Sequence, residues 1–207
     1  ITGERFDDAR LEAEKQAIAR RMHYVHPADE PALLAGVGTA ALEVLERQGP
    51  ETDLVIVPLG GGSAACGWVT VRDGLDHPAV IWAVQSAQAP AAHDAWRSGQ
   101  IVRRPNTTFA EGLATGVAFE LPLRILRGRL NDFILVDDSE IAAAIGNAQH
   151  FLEVQREFGS FDRYIWGFTG HRTLRNPQGV IHESVPASTP ESDAMSKDLK
   201  NRGFRFV

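Results

Sequence analysis

Three consecutive glycines, Gly60-Gly61-Gly62, stand between an apolar run and an alanine-rich stretch, and they are the residues of this chain best suited to chemistry. With no side chains in the way, successive backbone N–H groups can converge on one point. Where a helix follows, its first amides and its dipole favour an anion such as phosphate. The same glycines can equally form a ligand-free turn, and residue type alone leaves both readings open. Other reactive side chains are scattered. His23 and His26 lack a third ligand at metal spacing and read as a helix-end residue and a turn residue. Cys66, on the helix after the glycines, reads as a small packed side chain, although a helix N-terminus can acidify a thiol. Glu111 is a lone carboxylate of the kind usually solvated. No catalytic residue and no metal ligand is assigned.

The elements that must position the glycines follow from periodicity. Phe6 to His23 has apolar or alanine positions at 6, 9, 13, 17, 18 and 22, acids at its start and arginines at its end, which predicts an amphipathic helix. Pro31 to Gln48 predicts a second. Leu54-Val55-Ile56-Val57-Pro58 is a continuous apolar run, the pattern of a strand covered on both faces, and the glycines and a helix from about Ser63 follow it. Val80 to Val84 and Phe133 to Val136 are two more such runs, with a helix expected from about Ala89 to Arg97 and a looser segment before the third strand. Strands alternating with helices imply a mostly parallel sheet with flanking helices. Asp137-Asp138-Ser139-Glu140 has capping-box spacing, and apolar steps of three and four then run from Ile141 to Phe158, predicting one continuous helix over 139–158. Beyond Gly159 the pattern is helical. Aromatics crowd Phe161 to Phe168, and Trp166 is expected in a helical core rather than as a base-stacking platform. A last helix is expected from Pro190, capped by Thr189 and stopped by Gly203.

Composition bounds the possibilities. The 207 residues, 43% apolar and 23% charged, can bury a core of one or two domains. One cysteine excludes a disulfide framework within the chain and any cysteine-built zinc site. With no charged-then-apolar leader and no membrane-length apolar run, the expected location is the cytoplasm, with no membrane partner. The ends, Ile1 and Arg205-Phe206-Val207, suit a truncated reading frame. Residues 1–145 carry a net charge of minus 7 and residues 146–207 plus 1, so neither part attracts a polyanion by general charge.

Four motifs occur in order in the first part: His26-Pro27-Ala28-Asp29, Ala35-Gly36-Val37-Gly38-Thr39-Ala40-Ala41-Leu42-Glu43, Val57-Pro58-Leu59-Gly60-Gly61-Gly62, and Thr108-Phe109-Ala110-Glu111-Gly112-Leu113-Ala114. Together they resemble the threonine/serine dehydratase branch of the fold-type II pyridoxal-phosphate enzymes over about residues 1–145. The resemblance implies that Gly60, Gly61, Gly62 and Ser63 hold the phosphate of pyridoxal phosphate, and that Glu111 lies near the cofactor pocket. It also implies two parts not represented here, a lysine motif upstream and a pyridine-nitrogen partner near the C-terminus. The only lysines are Lys15, Lys197 and Lys200. None is expected to bond covalently to the cofactor, because such a lysine must be positioned at it and partly desolvated. Weak, phosphate-only cofactor binding is the expectation.

The second part resembles another family. Asn147 to Asp162, Tyr164-Ile165-Trp166, Val185 to Asp193 and Ser196 to Val207 look like the DNA-3-methyladenine glycosylase I family over about residues 141–207. That resemblance implies base flipping and a helix-hairpin-helix grip on phosphates. The unit's first helix would run from Pro190 to Arg202, with the hairpin starting at Gly203. Lys197, Lys200, Gly203 and Arg205, with Arg202 beside them, are the candidate DNA contacts. The base pocket, closing helix and zinc ligands of the family are not represented, so DNA contact is expected to be weak.

The expected architecture is therefore α/β, a partial parallel sheet with flanking helices of the fold-type II kind over 1–145, followed by an all-α glycosylase-like segment over 146–207. The expected function is a fused fragment of two enzymes, inactive alone. The alternatives are a base-excision glycosylase, or an amino-acid dehydratase whose missing half a complementing subunit supplies.

Overall fold

The structure, a computed structural model, describes residues 3–48, 51–175 and 187–207. Ile1 and Val185-Pro186, quoted above, lie outside the described residues. The chain divides into two compact units, Ile1–Asp138 and Ser139–Val207.

In the first unit, α1 (Phe6–Ala19) and α2 (Pro31–Gln48) precede β1 (Leu54–Pro58), α3 (Ser63–Gly74), β2 (Val80–Ser86), α4 (Ala91–Ser98), α5 (Glu120–Leu126) and β3 (Asp132–Val136). The three strands form one parallel sheet in the order β1-β2-β3, with Val57 opposite Ala83 and Ala83 opposite Phe133. Parallel neighbours need crossover connections, and α3 and the longer stretch from α4 to α5 provide them. The core gathers Val57, Leu59, Cys66, Val69, Ile81 and Phe133, with Leu34 of α2 and Leu126 of α5 closing it. Full burial of a side chain such as Ile81 contributes about 1.5–3 kcal/mol.

Two expectations fail here. α1 ends at Ala19 rather than near His23, because the chain leaves helical geometry at Arg21, whose φ is +53°. Along the helix Ala17 is buried and Ile18 is 81% exposed. Second, β1 is not covered on both faces. Val57 is buried, whereas Leu54 and Ile56 stand in solvent. A continuous apolar run specifies that a strand tolerates cover on either side, not that both covers are present.

α6 (Asp138–Phe158) runs unbroken through the helix expected over 139–158. In the second unit it is joined by α7 (Phe161–Gly167) and α8 (Pro190–Asn201). Ser160 caps α7 by accepting from Arg163 N, and Thr189 and Ser192 form a reciprocal capping box on α8. Val154, Tyr164, Leu199 and Phe204 make the core, joined by Phe158, Phe161, Ile165 and Phe168. Residues 161, 164, 165 and 168 share one face of α7, which leaves Trp166 outside the cluster and 39% exposed, contrary to its expected place in the core. No helix among the described residues is long and apolar enough to cross a membrane.

Candidate functional site

β1 delivers the chain to the glycines, and hydrogen bonds on both sides hold the turn. Leu59 N donates to Val84 O at 2.8 Å, extending the pairing with β2. The Thr115 hydroxyl donates to Gly60 O at 3.1 Å. Gly62 is the N-cap of α3 and has a φ of +98°, in the left-handed region that glycine enters without penalty. Its carbonyl accepts from Cys66 N at 2.9 Å, the first bond of the helix. The amides of Ser63, Ala64 and Ala65 therefore have no acceptor within the helix, and they stand at the positive end of a 12-residue dipole.

The fold itself also demands these glycines. A Cβ on Gly60 would run into the carbonyl oxygen of Gly112. One on Gly61 would come within 2.9 Å of the Ala28 methyl group, and one on Gly62 within 3.0 Å of the Pro122 ring. Three of the four motifs quoted above thus meet at one loop: the turn after His26 supplies Ala28, and the segment after Thr108 supplies Gly112. Thr115 was missed by sequence reasoning. The only signal for it is its place immediately after the last quoted motif.

Glu111 opens a short 3-10 turn, Glu111–Leu113, and is exposed. With Asn106, Thr107, Thr108 and Gly112 it lines an open cavity of about 770 Å³, whose other wall is the start of α1. Asn106 is 9% exposed, and its buried Oδ1 has no hydrogen-bond partner among the described residues.

A second fixture was not legible in the sequence. The Asp138 carboxylate accepts from Ser86 Oγ at 2.6 Å, Thr108 Oγ1 at 2.7 Å and Phe109 N at 3.1 Å. Gln88 Oε1 in turn accepts from Asp138 N at 3.1 Å. Burial pushes the Asp138 pKa up, but the three hydrogen bonds outweigh it and hold the carboxyl below the usual range. The clamp fixes the 108–112 segment against the end of β2. Its members lie 52 and 30 residues from Asp138, a separation that no local pattern encodes.

The remaining candidates separate cleanly. Cys66 is fully buried, and burial pushes its thiol up to about 12, so helix-terminal acidification does not occur and the residue is packing. His26 Nδ1 accepts from Ala28 N at 3.1 Å and Asp29 N at 2.7 Å, which makes it the cap of a turn. Burial lowers its pKa, favouring the neutral ring that this role needs. His23 is exposed beyond the end of α1. Lys15 is exposed on α1, and Lys197 and Lys200 are exposed on α8.

In the second unit, Lys197 and Lys200 line an open hollow of about 380 Å³ with Asp193, Ser196 and Asn201. Gly203 ends α8 at a φ of +94°. Phe204 N donates to Leu199 O and Gly203 N to Lys200 O, both at 3.0 Å, so the Leu199 and Lys200 carbonyls are satisfied in a Schellman closure. Arg205 is exposed, and its backbone makes two 2.9 Å hydrogen bonds with the Asn147 amide. Arg202, expected beside phosphates, is instead committed internally. Its guanidinium reaches Glu157 at 2.6 and 3.2 Å and Asp198 at 2.7 Å, and lies over the rings of Phe158 and Tyr164. Burial, reinforced by the hydrogen bond to Asp198, pushes the Tyr164 phenol up to about 12.

Two family models match the chain. One, described as Pyridoxal-phosphate dependent enzyme, covers residues 1–150, and the other, Methyladenine glycosylase, covers residues 125–207. The L-threonine ammonia-lyase of Geobacter sulfurreducens is 37% identical over 147 residues, which is 70% of this chain and 36% of that protein. The L-threonine dehydratase biosynthetic IlvA of Escherichia coli is 33% identical over 146 residues, 70% of this chain and 28% of that protein. The chain thus spans about a third of the length of these curated relatives. Among solved structures, the processed form of threonine deaminase isoform 2 from Solanum lycopersicum superposes with a TM-score of 0.64 at 25% identity, covering 70% of this chain and 42% of that one. Maize serine racemase gives a TM-score of 0.58 at 27% identity, with 66% and 43% covered.

Proposed function

We infer the function from a premise that the match over residues 1–150 supplies: this chain belongs to the pyridoxal-phosphate dependent enzyme family. Its residues fit one end of that cofactor. The amides of Ser63, Ala64 and Ala65, which have no acceptor within α3, offer a phosphate donors at a helix N-terminus behind Gly60 to Gly62. The other end of the cofactor carries the carbonyl through which the family's amino-acid chemistry proceeds once a lysine engages it. None of the three lysines here is of that kind, for Lys15, Lys197 and Lys200 are all exposed and a reactive lysine is partly desolvated.

The proposed function is accordingly that of a fused fragment. Its first part, related to threonine and serine dehydratases, holds the cofactor by its phosphate and does not turn over amino acids alone. Its second part, related to methyladenine glycosylases, keeps a packed three-helix core and gives weak DNA contact through Lys197, Lys200, Gly203 and Arg205, without excising bases. Internal pairing of Arg202 supports the weakness of that contact, since it leaves fewer cations for phosphates. A polypeptide that supplies a positioned lysine is the proposed partner, and the cytoplasm the proposed location. The observation that carries the reading is the contrast between three amides at the start of α3 that have no acceptor within the helix and three lysines all in solvent.

Borohydride treatment in the presence of pyridoxal phosphate, followed by peptide mapping, tests it. No stoichiometrically modified lysine and no ammonia from threonine are expected. One fully modified lysine, with turnover lost on its replacement by alanine, contradicts the reading.

A further inference from the structure

The glycine loop contains one peptide unit that its own residues cannot aim. Gly60 and Gly61 flank it, and neither carries a Cβ that would forbid the flipped orientation of the unit. The peptide is trans and planar, so its carbonyl and its amide point in opposite directions. Whatever fixes Gly60 O therefore also fixes Gly61 N–H. Among the described residues, the hydrogen bond that Gly60 O accepts comes from the Thr115 hydroxyl at 3.1 Å, and Gly61 N donates to no backbone carbonyl.

Thr115 is itself held firmly. It is 5% exposed, and its N–H donates to Leu113 O at 3.1 Å. The next residue is fastened on both sides: Gly116 N donates to Asp7 Oδ2 at 2.8 Å, and Gly116 O accepts from Arg104 N at 3.0 Å. At the other end of the segment Thr107 N donates to Gln88 O at 2.9 Å, and the Asp138 carboxylate holds Thr108 and Phe109. Residues 107–116 thus form a strap tied down at both ends, and Thr115 is where it grips the loop. We propose that Thr115 is a positioning residue for the anion site. Its hydroxyl holds the Gly60–Gly61 peptide in the one orientation that leaves Gly61 N–H as a further donor to phosphate, with the Ser63, Ala64 and Ala65 amides. A flipped peptide would present the Gly60 carbonyl instead, replacing a donor by an acceptor that repels the anion. The proposal rests on the phosphate-binding reading above and adds the side chain that sets how tightly phosphate is held. Affinity then follows the hydroxyl of residue 115 rather than its bulk.

NMR of the whole chain, titrated with inorganic phosphate, tests the proposal. Thr115→Ser keeps the hydroxyl and is expected to bind phosphate within about twofold of the unaltered chain. Thr115→Val and Thr115→Ala remove the hydroxyl, with and without keeping the bulk, and each is expected to bind about fivefold more weakly, the effect of one hydrogen bond. Both are also expected to move the Gly60 carbonyl-carbon and Gly61 amide resonances before phosphate is added. Ile81→Val is the control for general loosening. It shortens a fully buried side chain near the start of β2, at the end of the sheet away from the loop, and is expected to lower the melting temperature without changing phosphate affinity. Unchanged affinity in the variants without the hydroxyl overturns the proposal, as does a Gly60 carbonyl resonance that stays in place. Equal weakening in Thr115→Ser or in Ile81→Val overturns it too, by making packing the cause. If phosphate shifts no loop amide of the unaltered chain, the anion-site reading itself fails and the proposal with it. Failure of the proposal alone is distinct, because the unaltered chain then binds.

Discussion

Gly62 and Gly203 have nearly the same backbone conformation, with φ values of +98° and +94°, and opposite consequences. Gly62 opens α3, and the amides behind it are left for something else to bind. Gly203 closes α8, and the carbonyls before it are already bonded to Gly203 N and Phe204 N. One glycine opens a helix whose first amides have no acceptor within it, and the other closes a helix by bonding carbonyls near its end. A left-handed glycine is therefore not a functional signal in itself. What distinguishes the first unit's loop from the second unit's is which helix end it serves and whether the chain satisfies that end internally.

Substitutions at the two loops sharpen this contrast. Gly60→Ala has the largest expected effect, because its methyl group meets the backbone oxygen of Gly112, which cannot rotate away. A loss of about 3 kcal/mol or more in urea unfolding of the first unit is expected, together with loss of anion binding. Gly203→Ala is expected to cost about 1–2 kcal/mol in the second unit. There the strain of the positive φ adds to a contact at 2.6 Å with the His150 ring, a side chain that can move. If Gly203→Ala instead proved the costlier of the two, the closure of α8 would be the more tightly determined site.

The Asp138 clamp gives a smaller, pH-dependent effect confined to the first unit. Its folded pKa lies below the ordinary carboxylate value, so the stability it contributes is present above about pH 4 and is lost as pH falls through the folded value. Asp138→Asn is expected to lower the melting temperature at pH 7 and to flatten the acid limb below pH 4. An unchanged acid limb would show that the carboxylate contributes nothing there. The smallest expected change is a gain. Gly146 lies inside α6 with open space around its Cβ direction, so Gly146→Ala is expected to raise stability by roughly 0.5–1 kcal/mol in a thermal melt.

How much the sequence reveals follows the same division. Features encoded within a few residues were legible: the strand-glycine-helix order at 54–63, the unbroken α6, and the Thr189 cap and Gly203 stop of α8. Features that depend on distant partners were not. Asp138 reads locally as part of a capping sequence, and its bonds to Ser86 and Thr108 emerge only when three segments meet. The apolar run of β1 marks a strand but cannot say that Val57 faces a core while Ile56 faces solvent. Arg202 reads as a free cation near a hairpin, and only the packing of α8 brings it to Glu157, Asp198 and two aromatic rings. Within the candidate site, the glycines were visible from sequence, but their second role, accepting the close approach of Ala28, Gly112 and Pro122, was not.

The central claim, a phosphate cradle without a lysine to act through it, is tested most directly by amide NMR. The chain is titrated with pyridoxal phosphate and, separately, with pyridoxal, which has the same ring and carbonyl but no phosphate. Pyridoxal phosphate is expected to shift the amide resonances of Ser63, Ala64 and Ala65, while pyridoxal leaves them in place and no lysine resonance moves with either. Equal shifts from both compounds, or a lysine that responds to pyridoxal alone, would contradict the account.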